Sequence, residues 1–388
     1  MKRFTVKSLV FGLIVGVSVT AAAREIGTSK PERQGYSSER LEKITAFMDA
    51  KVADGTMVGG MGVIARNGKI IYQRTYGQAD REAGRPMEAD AIYRIYSMSK
   101  PITGVALMML YEDGKFRLND PIAMYMPEFA KLQVATSTAG TNIVSDGTTS
   151  RTVGSGDQSL VGEWRAPTRQ PTVRDLLRHT AGMTYGVFGN TEVDQLYREA
   201  GLLGDMSLAE FTKALGQLPL QYDPGSQWHY SVSVDVQGRL IEVLSGMSFG
   251  EFLKQRIFDP LDMRDTDFQV NEGNKDRLAQ MYKPQGVDAN NFFSPATGSG
   301  LEVADAFASA RFIYGGKFES GGGGLVSTAR DYLRFSQMLL NGGELDGVRI
   351  LSPKTIELMT TNHLGELPMG FGRSGVGFGL GFGVVLNP

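Results

Sequence analysis

Asn67-Gly68 stands between two short, largely apolar runs, Met61–Arg66 and Lys69–Arg74. A two-residue Asn-Gly link suits the type I′ turn of a tight hairpin, because both of its positions need positive φ. Just ahead, Ser37–Asp54 carries Leu41, Ile44, Phe47 and Met48 at helical spacing and reads as an amphipathic helix. A helix leading straight into an antiparallel hairpin argues against a parallel, doubly wound sheet.

Further along, Ile102–Tyr111 is a mostly apolar helix bound for the interior, stopped by Asp113-Gly114. Thr136–Asp157, rich in Ser, Thr, Gly and Asp, reads as an exposed loop. The middle is mainly helical, at Val173–Arg178, Thr191–Ala200, Leu208–Leu218, Val234–Leu244 and Gly250–Phe258. A four-glycine turn, Gly321–Gly324, precedes a helix at Thr328–Leu340, and Gly377–Leu386 alternates glycine with apolar residues as a strand would. Strand signals at both ends and helices between them predict an α+β protein. Its sheet domain is built from residues 24–130 and 300–388, with a mainly helical domain, 131–299, inserted.

Residues 1–23 are set apart as a signal peptide. Lys2, Arg3 and Lys7 give a positive start, Ser8–Ala23 is uncharged, and Ala21-Ala22-Ala23 supplies small residues for cleavage. The uncharged stretch falls short of the roughly 20 residues of a membrane span. An uncleaved anchor is the alternative. Cleavage leaves 37 basic side chains against 42 acidic ones, and the mature protein is expected to be exported, periplasmic or secreted, with no stable membrane span. Nothing is basic enough for nucleic acid. The chain has no cysteine, which excludes a thiol nucleophile, disulfides and thiolate metal sites. His179, His229 and His363 are scattered, with no ligand-like spacing. Neither a metal nor an organic cofactor is implied.

Ser97-Met98-Ser99-Lys100 fits the pattern S-x-x-K. A serine hydroxyl needs a base within hydrogen-bond reach, and three residues along a helix put the lysine on the same face. Burial and the positive end of a helix both favour the neutral amine, which can accept a proton. About one such match is expected by chance in a chain this long. The apolar flanks on both sides distinguish this one, since a lysine at the head of a buried helix is expensive to place without a function.

Tyr96–Lys100 followed by Gly114–Pro121 resembles the serine β-lactamase and D-Ala-D-Ala carboxypeptidase superfamily. Leu176–Met183 is similar to the LLxHTSG stretch of its class C-like branch, Asp223–Ser231 to the segment bearing the second catalytic element, and Gly322–Thr328 to a later landmark. The resemblance implies a β-lactamase/transpeptidase-like fold. It also implies catalytic roles for Ser97 as nucleophile, Lys100 as base and Tyr230 as proton relay. The second element usually reads Tyr-x-Asn. Here it is Tyr230-Ser231-Val232, closer to the β-lactamase-fold (family VIII) carboxylesterases.

The family's third element, Lys-Thr-Gly or Trp-Gly-Gly, has no match after Gly377. Lys354-Thr355-Ile356 follows Ser352-Pro353 and reads as a helix start, and His363-Leu364-Gly365 as a helix end. Roughly 40–50 further residues carrying that element, and with it one oxyanion donor, are expected on grounds of domain size and family pattern. Losing such a donor lowers rates about 10²–10³-fold, so the 388-residue form is expected to be poorly active or to aggregate.

Gly246-Met247-Ser248-Phe249-Gly250 matches the nucleophile elbow G-x-S-x-G, but that motif needs a strand before it. Here a helix precedes, and Ser248 with Glu251 forms a capping box. His179 is read as a helix-end residue bonding backbone carbonyls. Trp228 and His229 either line the pocket or pack in the core. Three functions remain open: a carboxylesterase on small-molecule, short-chain esters with weak β-lactam hydrolysis, a class C-like β-lactamase or D,D-peptidase, and a non-catalytic module binding cell-wall peptides or β-lactams. Val232 favours the first over the second, since it cannot bond a peptide-like substrate as the usual asparagine would.

Overall fold

The computed structural model describes residues 25–136, 164–287, 298–304, 312–313, 315–370 and 374–386. Helix α1 (Ser38–Ala53) begins where the Ser37 hydroxyl accepts from Arg40 N–H. Strands β1 (Gly59–Arg66) and β2 (Lys69–Asp80) form the expected hairpin, with Arg66 paired to Lys69. Asn67 and Gly68 take φ of 50° and 68°, the pair of positive angles a type I′ turn requires. The second strand runs six residues past the sequence expectation and pairs again with β3 (Arg85–Pro86). Helix α1 packs on β2 through Leu41 and Thr45, where Thr45 Oγ1 meets Tyr72 Oη at 3.1 Å. Ile44 and Phe47 are not part of that contact. They stay 37% and 60% exposed, because the helix turns the Leu41–Thr45 edge of its stripe to the sheet.

Strand β4 (Ile92–Arg94) leads into helix α2 (Ser99–Glu112). Ile102, Val105, Ala106, Leu107 and Met108 have no exposed surface, as expected of a helix apolar on every side. It stops in a Schellman motif: Gly114 has φ of 71°, Gly114 N–H bonds Tyr111 O, and Lys115 N–H bonds Leu110 O. The short helices α3 (Val173–Leu177), α4 (Glu192–Glu199) and α5 (Leu208–Leu215) each begin with a capping box, from Thr172, Thr191 and Ser207. Helix α6 (Ser233–Ser245) lies against α2. Helix α7 (Phe249–Leu253) runs on into a π turn at Lys254–Phe258.

Strand β5 (Val326–Thr328) pairs antiparallel with β4, Tyr93 opposite Ser327. It thereby ties the late part of the chain to the segment preceding α2. Helices α8 (Ala329–Leu340) and α9 (Pro353–Met359) start at caps Thr328 and Ser352. The Gly377–Leu386 stretch is not one strand. It folds back as a hairpin of β6 (Val376–Phe378) and β7 (Gly383–Val385), closed by Gly379 N–H to Phe382 O at 2.7 Å, with Gly381 at φ of 92°. Its turn docks on the top of the core, Leu380 N–H bonding Met359 O and Gly381 N–H bonding Leu177 O.

One main hydrophobic cluster runs from Ile95 to Leu380 and draws on α2, α3, α5, α6, α7 and α8. The Thr136–Asp157 loop, beyond its first residue, and the signal stretch up to Arg24 lie outside the described residues. Among the described residues no helix is long and apolar enough to cross a membrane.

Candidate active site

The path from β4 into α2 is tightly held. Ile95 N–H bonds Leu325 O at 3.0 Å, Leu325 N–H donates to Ser99 Oγ at 3.2 Å, and Tyr332 Oη donates to Met98 O at 3.1 Å. Tyr96 sits between them with φ of 41°, an uncommon angle for a non-glycine residue. The two serines of the motif separate by environment. Ser99 is fully buried and engaged with Leu325, whereas Ser97 is exposed.

Lys100 Nζ lies 3.2 Å from Ser97 Oγ and donates to Gly322 O at 2.5 Å. Tyr230 Oη donates to Ser97 Oγ at 2.7 Å. The structure therefore brings Ser97, Lys100 and Tyr230 together. Lys100 is 8% exposed. Burial holds its amine down to about 8, against 10.5 for an ordinary lysine, and the Asp235 charge partly opposes that. Burial also pushes the Tyr230 phenol up, an effect its bond to Ser97 opposes and Asp235 reinforces. The site thus holds a lysine that can lose a proton near neutrality and a tyrosine that keeps one. The Ser97 N–H belongs to the first turn leading into α2, where amides lack intrahelical partners and face the positive end of the helix.

Tyr230 is delivered by two segments lying side by side. Gly225 N–H bonds Thr180 O, His229 N–H bonds His179 O, and Val232 N–H bonds Thr184 O. Around its ring stand His179, Tyr185 and Phe188, with centroids 5.0, 5.4 and 5.7 Å away. Val232 is fully buried at the start of α6, so this position packs in the core and offers no group to a ligand.

His179 departs from the sequence expectation. It has φ of 57°, and its Nδ1 accepts from Ser231 N–H at 3.4 Å. The chain turns into the left-handed region two residues past α3, which swings the ring off the helix carbonyls and onto the Tyr230 segment. Burial, then the nearby Lys100 charge, holds this imidazole well below its ordinary value. Trp228 is buried beside Leu364 and Phe378, and His229 Nε2 meets Thr184 Oγ1 at 3.4 Å. Among the described residues no group of three or more His, Asp or Glu is placed to hold a metal.

The competing motif resolves as a cap. Ser248 Oγ accepts from Glu251 N–H at 3.3 Å and donates to Glu251 Oε2 at 3.0 Å. Lys354-Thr355 lies at the start of α9, and His363 follows its end, with Nε2 2.8 Å from Leu358 O.

Sequence reasoning missed three contributors: the Gly322 carbonyl, Tyr185 and Asp235. Lys100 Nζ stands 5.3 Å from the Tyr185 ring centroid and 4.6 Å from that of Tyr230. The one sequence signal was the carboxylate of Asp235 inside the apolar run Val234-Asp235-Val236.

Comparison with known proteins gives the family and the fold. Protein Rv1367c of Mycobacterium tuberculosis is 32% identical over 345 residues, covering 86% of this chain and 76% of the relative. Esterase EstB of Burkholderia gladioli is 30% identical over 298 residues, covering 75% of this chain and 68% of the esterase. Among solved structures, EstCE1, described as a hydrolase with promiscuous acyltransferase activity, superposes with a TM-score of 0.66 at 26% identity, covering 89% of this chain and 83% of its own. The α+β, β-lactamase/transpeptidase-like fold expected from the motifs is the fold observed. The Beta-lactamase family profile matches residues 44–388, and the chain belongs to that family of serine hydrolases.

Proposed function

We propose that this chain is a carboxylesterase that forms an acyl-enzyme on Ser97 and hydrolyses small-molecule esters with short acyl groups, with weak β-lactam hydrolysis beside it. The observation that carries the reading is the single hydroxyl, Ser97 Oγ, within 3.2 Å of Lys100 Nζ and 2.7 Å of Tyr230 Oη. The neutral Lys100 amine takes the Ser97 proton as the oxygen attacks the ester carbonyl. The tetrahedral intermediate collapses, the ester C–O bond breaks, and Tyr230 hands a proton to the departing alcohol. Tyr230 recovers that proton from the Lys100 ammonium. Water then attacks the acyl carbonyl and gives a proton to the same pair, the bond to Ser97 Oγ breaks as the pair returns that proton to it, and the acid leaves. The likeness to EstB and EstCE1 supports ester substrates. The buried Val232 weighs against peptide-like ones. The reading includes export, with cleavage after Ala23, which N-terminal sequencing of the mature protein tests.

A fluorophosphonate probe followed by peptide mass mapping tests the nucleophile. Labelling is expected on Ser97 and lost in Ser97→Ala. A panel of p-nitrophenyl esters set beside nitrocefin and a D-Ala-D-Ala peptide tests the substrate, with short esters expected to turn over fastest. Labelling on Ser248 sinks the site. A Ser97 adduct without turnover of any substrate supports a binding module, and preference for nitrocefin or the peptide supports the β-lactamase or D,D-peptidase reading.

A further inference from the structure

The carbonyl that receives the Lys100 amine belongs to a turn that needs glycine. Residues Gly321–Gly324 thread between α2 and α6. Thr103 Oγ1 on α2 donates to Gly321 O at 2.9 Å, and a Cβ at Gly321 would meet Val234 O on α6 at 2.6 Å. At Gly322 a Cβ would stand 2.5 Å from the Tyr185 hydroxyl and 2.8 Å from Asp235 Oδ2. Gly322 therefore faces two ways. Its carbonyl accepts from Lys100, and its N–H donates to Asp235 Oδ1 at 3.0 Å. Ser320 Oγ donates to the same carboxylate oxygen at 2.5 Å.

Asp235 has no exposed surface, and a carboxylate is expensive to bury. An asparagine oxygen would accept the bonds from Gly322 and Ser320 equally well. What an amide cannot supply is a negative charge beside Lys100. The other ionisable groups facing the amine are Tyr230, Tyr185 and His179. Burial keeps both phenols protonated and the imidazole neutral. Among the described residues Asp235 is the anion acting on the amine.

We infer that Asp235 is a positioning residue: by binding the Gly322 N–H while the Gly322 carbonyl receives Lys100, it aims that amine at Ser97 and seats a carboxylate behind the same glycine. The inference rests on Ser97 being the nucleophile. Without the carboxylate, Lys100 would lose its proton more readily and hold less of it for return through Tyr230. With the carboxylate, the amine stays poised to accept and give back.

The test is a titration of the Lys100 side chain by NMR in the full chain labelled with ¹³Cε-lysine, assigned by comparison with Lys100→Arg. Asp235→Asn keeps the acceptor and removes the charge, and is expected to lower the Lys100 midpoint by about 0.5–1 pH unit. The acid limb of Ser97 labelling by the fluorophosphonate should move with it. Asp235→Ala also releases Gly322, and labelling at saturating probe should fall about 10–100-fold while half-saturation changes little. An unchanged midpoint in folded Asp235→Asn overturns the charge role, and wild-type labelling by Asp235→Ala overturns the positioning role. Should the alanine variant fail to fold, the asparagine titration still decides the charge role, and wild-type labelling by Gly322→Ala overturns the positioning role. The NMR midpoint needs no activity. If labelling persists in Ser97→Ala, the assignment of the nucleophile falls while the titration still reports on Asp235.

Discussion

Replacing Lys100 by methionine should destroy the chemistry and, at neutral pH, stabilise the fold. Burial holds the amine near 8 instead of 10.5, a gap equivalent to about 3 kcal/mol. Below pH 8 the amine is protonated in both the folded and unfolded chain, so the folded state carries that full penalty. Between about 8 and 10.5 the unfolded chain binds more protons than the folded one, and stability rises with pH. The methionine variant never carries the penalty. It does leave Ser97 and Gly322 without the bonds the amine makes, about 1 kcal/mol each. Lys100→Met is therefore expected to be more stable by about 1 kcal/mol at pH 7. Wild type should then gain about 3 kcal/mol on it by pH 11. Urea unfolding of both proteins at stepped pH measures the difference directly. A difference that stays constant from pH 7 to 11 would refute the reasoning, for it would mean that the amine does not titrate abnormally in the fold.

Probe labelling of Ser97 should rise with pH through a midpoint near 8, the value at which half the Lys100 amines are neutral, and a labelling rate flat from pH 6 to 9 would deny lysine the role of base. Tyr230→Phe keeps the ring packed on His179 and Tyr185 but removes the proton relay, so ester turnover should fall about 10²-fold with KM little changed. Ser248→Ala removes a cap and should lower stability by about 1 kcal/mol, read from urea midpoints, while leaving Ser97 labelling at the wild-type rate. Gly322→Ala drives a methyl into the Tyr185 hydroxyl and the Asp235 carboxylate, and should lower labelling at least tenfold with a reduced melting temperature. An unaffected Gly322→Ala would mean the turn has more room than its geometry gives it.

What was legible in the sequence was whatever local rules fix. Asn67-Gly68 specified the hairpin because few other dipeptides supply two positive φ angles. Ser248 announced a helix start three residues ahead of its acidic partner Glu251. Ser97 and Lys100 were found because both lie on one turn of one helix. Tyr230, 133 residues from Ser97, was found only through a resemblance, since no spacing connects them. Tyr185, Asp235 and the Gly322 carbonyl reach Lys100 through tertiary packing, and a single sequence has no register for that. The errors have the same origin. Alternating glycine and apolar residues at Gly377–Leu386 looked like one strand because periodicity does not reveal that Gly379–Phe382 folds back. The stripe with Ile44 and Phe47 showed that a helix has an apolar side, but not how much of that side the sheet would cover.

Ser97, Ser99 and Ser248 share one chemistry and differ only in surroundings, which is why the assignment rests on environment. Ser248 is held by a carboxylate that accepts its hydroxyl proton as a cap, and Ser99 is sealed in the core against Leu325. Ser97 alone of the three is both exposed and bonded to a base with a lowered proton affinity. Around it the chain accumulates choices that local stability would reject. Tyr96 takes a left-handed backbone, Lys100 and Asp235 are buried, and four successive glycines give up helix and strand propensity alike. Each is individually unfavourable, and all converge on one hydroxyl. A fold selected for stability alone would scatter such costs or remove them. Their concentration here is the physical signature of a site, and it predicts that removing the buried charge of Lys100 stabilises the chain as it disables Ser97, whereas Gly321, Gly322 and Gly324, where a Cβ would clash, yield no such gain.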